Sequence, residues 1–230
     1  MTDVMPLERA AEPLLADVEY DDITAAAVKP FDLDPQDQRG FYPFVLPELP
    51  EEFTIGVIVG ASGSGKSVLL REFGGELPVE WSRDRSIISH FATAEEGTAR
   101  MYAVGLNTVP VWRNPYHVLS NGQQFRADLA RRIGTGAVVD EFTSVVDRNV
   151  AIAASKAVRG WAERTGSTRM VFATCHRDVV PWLAPDWVID TDAGEYTVGE
   201  TVERPVWWEK HIRQDRGGLV GAVGLGNADA

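Results

Sequence analysis

Gly60-Ala61-Ser62-Gly63-Ser64-Gly65-Lys66-Ser67 fits the pattern G-x-x-x-x-G-K-[ST] at every fixed position, and no other stretch constrains the fold as tightly. The apolar run at 54–59 reads as a buried strand, and residues 68–73 read as a helix. Strand, glycine loop and helix form the setting in which this motif holds a nucleotide. Small residues let successive backbone N–H groups close around phosphate oxygens, and the helix N-terminus adds a favourable dipole. In that setting Lys66 reaches the β- and γ-phosphates, and the Ser67 hydroxyl binds Mg2+. An ordinary glycine-rich turn is the competing reading, and the flanking strand and helix argue against it.

The rest of the chain alternates short apolar runs with helical patterns. Phe41, Tyr42, Phe44 and Val45 suggest a strand, broken by Pro47 and Pro50. Residues 85–91, around Ile87-Ile88, read as a short strand, and residues 136–142 as a second buried one. Residues 170–174 and 187–190 read as further strands, while 92–106 and 150–163 read as helices. Gly74-Gly75 and Gly166 sit where helices stop. This alternation predicts an α/β fold with a mostly parallel central sheet.

Charge narrows the partners. Residues 1–40 hold ten acids and three bases, which is −7 of the chain's net −12. With Pro6, Pro13, Pro30 and Pro35 they read as an acidic N-terminal extension. Residues 41–205 read as the main domain, and 206–230 as a C-terminal extension. Trp207 and Trp208 in that extension suit packing on the domain or anchoring a partner. The acidic balance argues against general attraction to nucleic acid or anionic lipid. The single cysteine, Cys175, reads as a packed small residue in a reducing compartment. With no signal pattern and no run of membrane-spanning length, a cytoplasmic location without membrane insertion is expected.

Two further segments carry chemistry. Ala137-Val138-Val139-Asp140-Glu141 is an apolar strand ending in two acids. A strand adjacent to the phosphate loop places such a carboxylate near Mg2+, the role expected of Asp140. Glu141, one residue on, faces the γ-phosphate as a general base. In Leu119-Ser120-Asn121-Gly122-Gln123, Ser120 is a good N-cap. Phe125, Leu129 and Ile133 then lie four apart on one helix face, and Gly134 stands at its end. Ser120 and Gly122 therefore mark a helix N-terminus, which favours an anion.

These motifs together resemble the ABC-type ATPases, over roughly residues 53–190. Residues 119–123 are similar to that family's signature sequence, with Asn121 in place of the usual first glycine. Ser144-Val145-Val146-Asp147 resembles its D-loop, and His176 its switch histidine. The resemblance implies a P-loop ATPase core that hydrolyses ATP with Mg2+ and closes as a head-to-tail homodimer around two ATP molecules. Each nucleotide lies on residues 60–67 of one copy, under Ser120, Asn121, Gly122, Gln123 and Asp147 of the other. It further implies that His176 hydrogen-bonds the γ-phosphate and helps position the attacking water.

Two departures shape the expectation. No glutamine occurs from Ser67 to Asn121, where the family carries one; Ser89 or His90 is the candidate substitute. The stretch from Lys66 to Leu119 is also short, which implies a shortened helical subdomain and weakens a reading as the nucleotide-binding subunit of a transporter. Phe41, Tyr42 and Phe44 are candidates to stack on adenine. More narrowly, residues 123–130, 140–148 and 182–188 resemble soluble ABC ATPases fused to GNAT-type acetyltransferases. That implies a separate acetyltransferase-like partner, or work near DNA as in DNA modification. A module that senses ATP without turnover is a third reading, against which Lys66, Asp140 and Glu141 stand.

Overall fold

Alternate residues of the strand before the glycine loop are apolar on both faces, so it needs cover on both sides. The computed structural model describes residues 4–15, 21–31 and 40–199. In it, β2 (Ile55–Val59) is buried along its whole length. Its Ile55, Val57 and Val59 join one apolar cluster, and Ile58 joins another on the opposite face.

The sheet has six strands in the order β1-β6-β5-β2-β4-β3. They are β1 (Val4–Pro6), β3 (Val138–Val139), β4 (Met170–Thr174), β5 (Trp187–Asp190) and β6 (Glu195–Val198), besides β2. β2 pairs in parallel with β4 and β5, and β3 in parallel with β4, while β6 and β1 run antiparallel at one edge. The fold is therefore α/β with a mostly parallel sheet, as expected.

Around it lie α1 (Asp22–Val28), α2 (Lys66–Arg71), α3 (Ala94–Ala103), α4 (Val109–Trp112), α5 (Asn121–Arg132), α6 (Arg148–Thr165) and α7 (Val180–Leu183). Apolar residues of α3, α5, α6 and α7 pack with Val57, Met170 and Phe172 on one face of the sheet. Leu69 and Leu70 of α2 pack with Ile58, Val171 and Ala173 on the other. The alternation along β4 repeats that of β2, as a strand's period of two requires.

Several expectations needed correction. Residues 41–45 form no strand; they make isolated bridges, Phe41 to Leu14 and Phe44 to Arg9. Residues 9–14 of the acidic extension thus lie along residues 41–44, and its β1 completes one edge of the sheet. Residues 85–91 hold a 3-10 turn, Ile87–His90, where a strand was expected. The Ser86 and Ser89 hydroxyls bond each other at 2.7 Å and Ser89 N–H donates to Ser86 O, so serine chemistry bends the chain. The strand expected over 136–142 narrows to β3, because Glu141 (φ 49°) and Thr143 (φ 70°) turn left-handed and end the ladder. Cys175 is exposed rather than packed. Residues 200–230, with Trp207 and Trp208, lie outside the described residues.

The core is least forgiving at Gly56. A Cβ there would lie 1.9 Å from the Trp187 ring, which is 0% exposed and stacks on Phe73 at 5.5 Å. Gly56→Ala is expected to cost about 1–3 kcal/mol of stability, as overpacking does. Urea unfolding followed by tryptophan fluorescence checks it; an unchanged midpoint would refute the contact.

Candidate functional site

Four parallel strands deliver their C-terminal ends to one edge of the sheet, and the loops leaving them assemble the site. After β2 comes the glycine loop. Gly65 caps α2 with φ 99°, a left-handed conformation that glycine adopts without strain. Lys66 is 5% exposed, and its ammonium donates to Ala61 O at 2.7 Å. Ser67 is exposed in the first turn of α2.

β4 lies between β2 and β3, so the strand that ends in Asp140-Glu141 does not adjoin the phosphate loop as the sequence pattern suggests. Two strand spacings separate them, roughly 10 Å. The register, Val59 opposite Thr174 and Val139 opposite Phe172, still brings both ends to the same level. Hydrogen bonds tie them through β4. Gly60 N–H donates to Thr174 O at 3.3 Å, Phe142 N–H donates to Ala173 O at 2.8 Å, and the Thr174 hydroxyl donates to Phe142 O at 2.8 Å.

Past β3 the chain bends sharply. Glu141 is exposed, and its N–H donates to Asp140 Oδ1 at 2.8 Å. Left-handed φ at non-glycine residues costs about 1–3 kcal/mol each, so holding Glu141 and Thr143 there requires the packing of buried Phe142 between them. His176, just beyond β4, meets the Thr143 hydroxyl at 3.0 Å through Nδ1. Burial, then the nearby Arg148 guanidinium, lowers the His176 pKa; Glu141 opposes weakly.

The folded chain therefore favours neutral His176. That contribution to stability is present above about 6.5, the ordinary histidine value, and is lost as pH falls below it toward the folded pKa. An NMR titration should give His176 a midpoint below 6.5, moving up in Arg148→Gln; a midpoint unmoved by that change would remove Arg148 from the account.

The other expected residues lie at helix starts. Ser120 caps α5, and its N–H donates to the Gln123 side chain at 3.0 Å. A Cβ on Gly122 would meet nothing within 4 Å. Asp147 caps α6, accepting from Asn149 and Val150 N–H at 3.0 and 3.1 Å. A cavity of about 390 Å3 beside Asp140 and Glu141 is walled by Asn121, Asp128 and Arg132 of α5 and by Glu76, and no residue of the glycine loop lines it. Ser89 and His90, the candidates for the missing glutamine, are occupied in the 3-10 turn and against Trp81. Among the aromatic candidates, Phe44 is core and Tyr42 is 47% exposed, while the Phe41 ring lies against Gly65.

Sequence reading missed the turn after β5. Asp192 accepts Ala61 N–H on both carboxylate oxygens, at 2.9 and 3.0 Å, and Thr191 Oγ1 meets Ser64 Oγ at 2.6 Å. Arg177, next to His176, binds both Asp190 and Asp192, which holds the Asp190 carboxyl below the usual range. The acids of Asp190-Thr191-Asp192 before Gly194 were the available signal.

No protein-family model matches the chain and no curated protein does either. Some solved structures are similar. One is a dimeric post-hydrolysis state of the ATP-binding cassette MJ0796 bound to ADP and Pi, at 14% identity over 69% of this chain and 89% of that one, TM-score 0.49. Another dimeric structure of MJ0796, a bacterial ABC transporter cassette, shows 15% identity over 68% and 88%, TM-score 0.48. CbiO1 from Clostridium perfringens, part of the ABC transporter complex CbiONQ, shows 19% identity over 82% and 94%, TM-score 0.49. No helix among the described residues is long and apolar enough to cross a membrane.

Proposed function

We propose that this chain is an ABC-type ATPase that binds ATP on residues 60–67 and hydrolyses it when two copies close around the nucleotide. The observation that carries the reading is the convergence of three segments at one sheet edge. The glycine loop, Asp140-Glu141 and His176 are joined there through Thr174, Phe142 and Thr143. Lys66 leaves Ala61 O to contact the β- and γ-phosphates. Glu141 takes a proton from water as the water oxygen bonds to the γ-phosphorus, and the bond to the β–γ bridging oxygen breaks with its electron pair leaving on ADP. His176 helps place that water.

Ser67 and Asp140 supply a hydroxyl and a carboxylate, hard oxygen donors of the kind Mg2+ prefers. No group of three or more His, Cys, Asp or Glu suited to a metal occurs among the described residues. When bound, Mg2+ neutralises phosphate charge.

The second copy contributes Ser120, Asn121, Gly122, Gln123 and Asp147. Gly122, in the first turn of α5, supports this: a Cβ there would meet nothing within 4 Å among the described residues, so the surface over the helix N-terminus is open. Phe41, held by paired hydrogen bonds to Leu14 at 2.7 and 3.0 Å, is the aromatic we assign to adenine.

The chain acts as a switch for a partner, with an acetyltransferase-like enzyme or DNA as the partner classes and a cytoplasmic location. Between α2 and α5 only α3 exceeds a single turn, which offers little docking surface and supports a switch over a transporter subunit. Phosphate release from Mg-ATP, with light scattering on a sizing column, tests the reading. Turnover is expected from the wild type, and ATP-dependent doubling of mass from Glu141→Gln, in which hydrolysis is slowed; ATP bound by a persistently monomeric Glu141→Gln protein would refute the shared site.

A further inference from the structure

Thr143 has no role in the chemistry above, yet it is fully buried and held at φ 70°, where a β-branched residue is strained. Its hydroxyl lies 2.5 Å from the Phe142 carbonyl and 3.0 Å from His176 Nδ1. A hydroxyl has one proton to donate. Two oxygens 2.5 Å apart need a proton between them, and the carbonyl has none, so the Thr143 proton goes to Phe142. The contact with His176 then runs the other way: Nδ1–H donates to the Thr143 oxygen. A neutral imidazole has a single N–H, which leaves Nε2 with a lone pair.

We infer that Thr143 is a positioning residue that holds His176 in its Nδ1–H tautomer, with Nε2 as a hydrogen-bond acceptor. The consequence rests on the ATPase reading and sharpens it. A phosphate oxygen is itself an acceptor, so a bare Nε2 does not grip it. A water O–H is a donor, and Nε2 suits it. His176 therefore orients the attacking water, and Glu141 receives the proton.

The test is nitrogen NMR of the histidine rings; the chain has four histidines, and His176→Asn assigns the signal. Wild type and Thr143→Ser are expected to show protonated Nδ1 and bare Nε2. Thr143→Val keeps the β-branched shape but offers no acceptor, so both nitrogen signals move toward the ordinary tautomer mixture. In phosphate release, Thr143→Val lowers kcat about tenfold, the worth of one hydrogen bond, with KM for ATP within twofold. Thr143→Ser restores most of the rate. An Nε2–H tautomer in wild type, or signals unmoved by Thr143→Val, overturns the assignment. A raised KM with unchanged kcat also overturns it, by making His176 a ground-state phosphate ligand. The expected tautomer in a protein that turns over no ATP supports Thr143's role and sinks only the ATPase reading.

Discussion

Lys66→Ala will weaken ATP binding on the order of 10²-fold or more while leaving the fold intact. On the proposed reading the loss comes from the contacts the ammonium would make with phosphate. Hydrogen bonds to charged groups contribute about 1.5–3 kcal/mol each, and each 1.4 kcal/mol is tenfold in affinity. The intact fold is expected from the structure. Lys66 is buried, but among the described residues its ammonium donates only to Ala61 O, which also accepts the Ser64 hydroxyl at 2.8 Å and Ser64 N–H at 3.3 Å. Removing the ammonium therefore orphans no acceptor. The loop's root keeps Asp192 on Ala61 N–H and Thr191 on Ser64. Calorimetric titration with Mg-ATP beside a thermal melt separates the two effects. Affinity within threefold of wild type would mean that the loop does not hold the triphosphate.

The sequence was most legible where one local pattern decided the outcome. β2 and β4 are unbroken apolar runs, and a strand buried on both faces has no other composition. α6 ends at Gly166 in the left-handed conformation, a bound carried by residue type, while its start at Arg148, two residues before the expected 150, follows from the cap that Asp147 supplies. Where two local signals compete, the reading failed. Ile87-Ile88 looks like a strand core, but flanking serines bond each other and only Ile87 is fully buried.

The order of the strands is a non-local fact, which is why β4 between β2 and β3 was not foreseen. The same holds in the site. Asp192 reaches Ala61 across 131 positions, and Thr143 reaches His176 across 33. Spacing along the chain carries no trace of such pairs. The positive φ of Glu141 and Thr143 was also hidden, since neither residue type favours it and it is held by tertiary surroundings, buried Phe142 and the hydrogen bonds around it.

Glu141→Gln will slow hydrolysis about 10²- to 10⁴-fold, the usual worth of a general base, and leave ATP binding intact. The amide matches the carboxylate in size, and the backbone N–H that fixes the bend still donates to Asp140 Oδ1. Geometry is thus conserved while proton-accepting capacity is lost, which is the condition for reading a rate change as chemistry. Removing one negative charge opposite the γ-phosphate also eases the approach of the triphosphate. The variant should therefore accumulate as an ATP-bound dimer where wild type cycles back to monomer. Glu141→Asp separates charge from reach: the carboxylate survives but retreats by one methylene, so it should lose rate without trapping the dimer as firmly. Single-turnover phosphate release gives the chemical step directly, and column-coupled light scattering with Mg-ATP gives the assembly. A Glu141→Gln protein that turns over within fivefold of wild type would place the base elsewhere. The Glu76 carboxyl, which lines the same cavity and is raised in pKa by desolvation, would then be the residue to replace next.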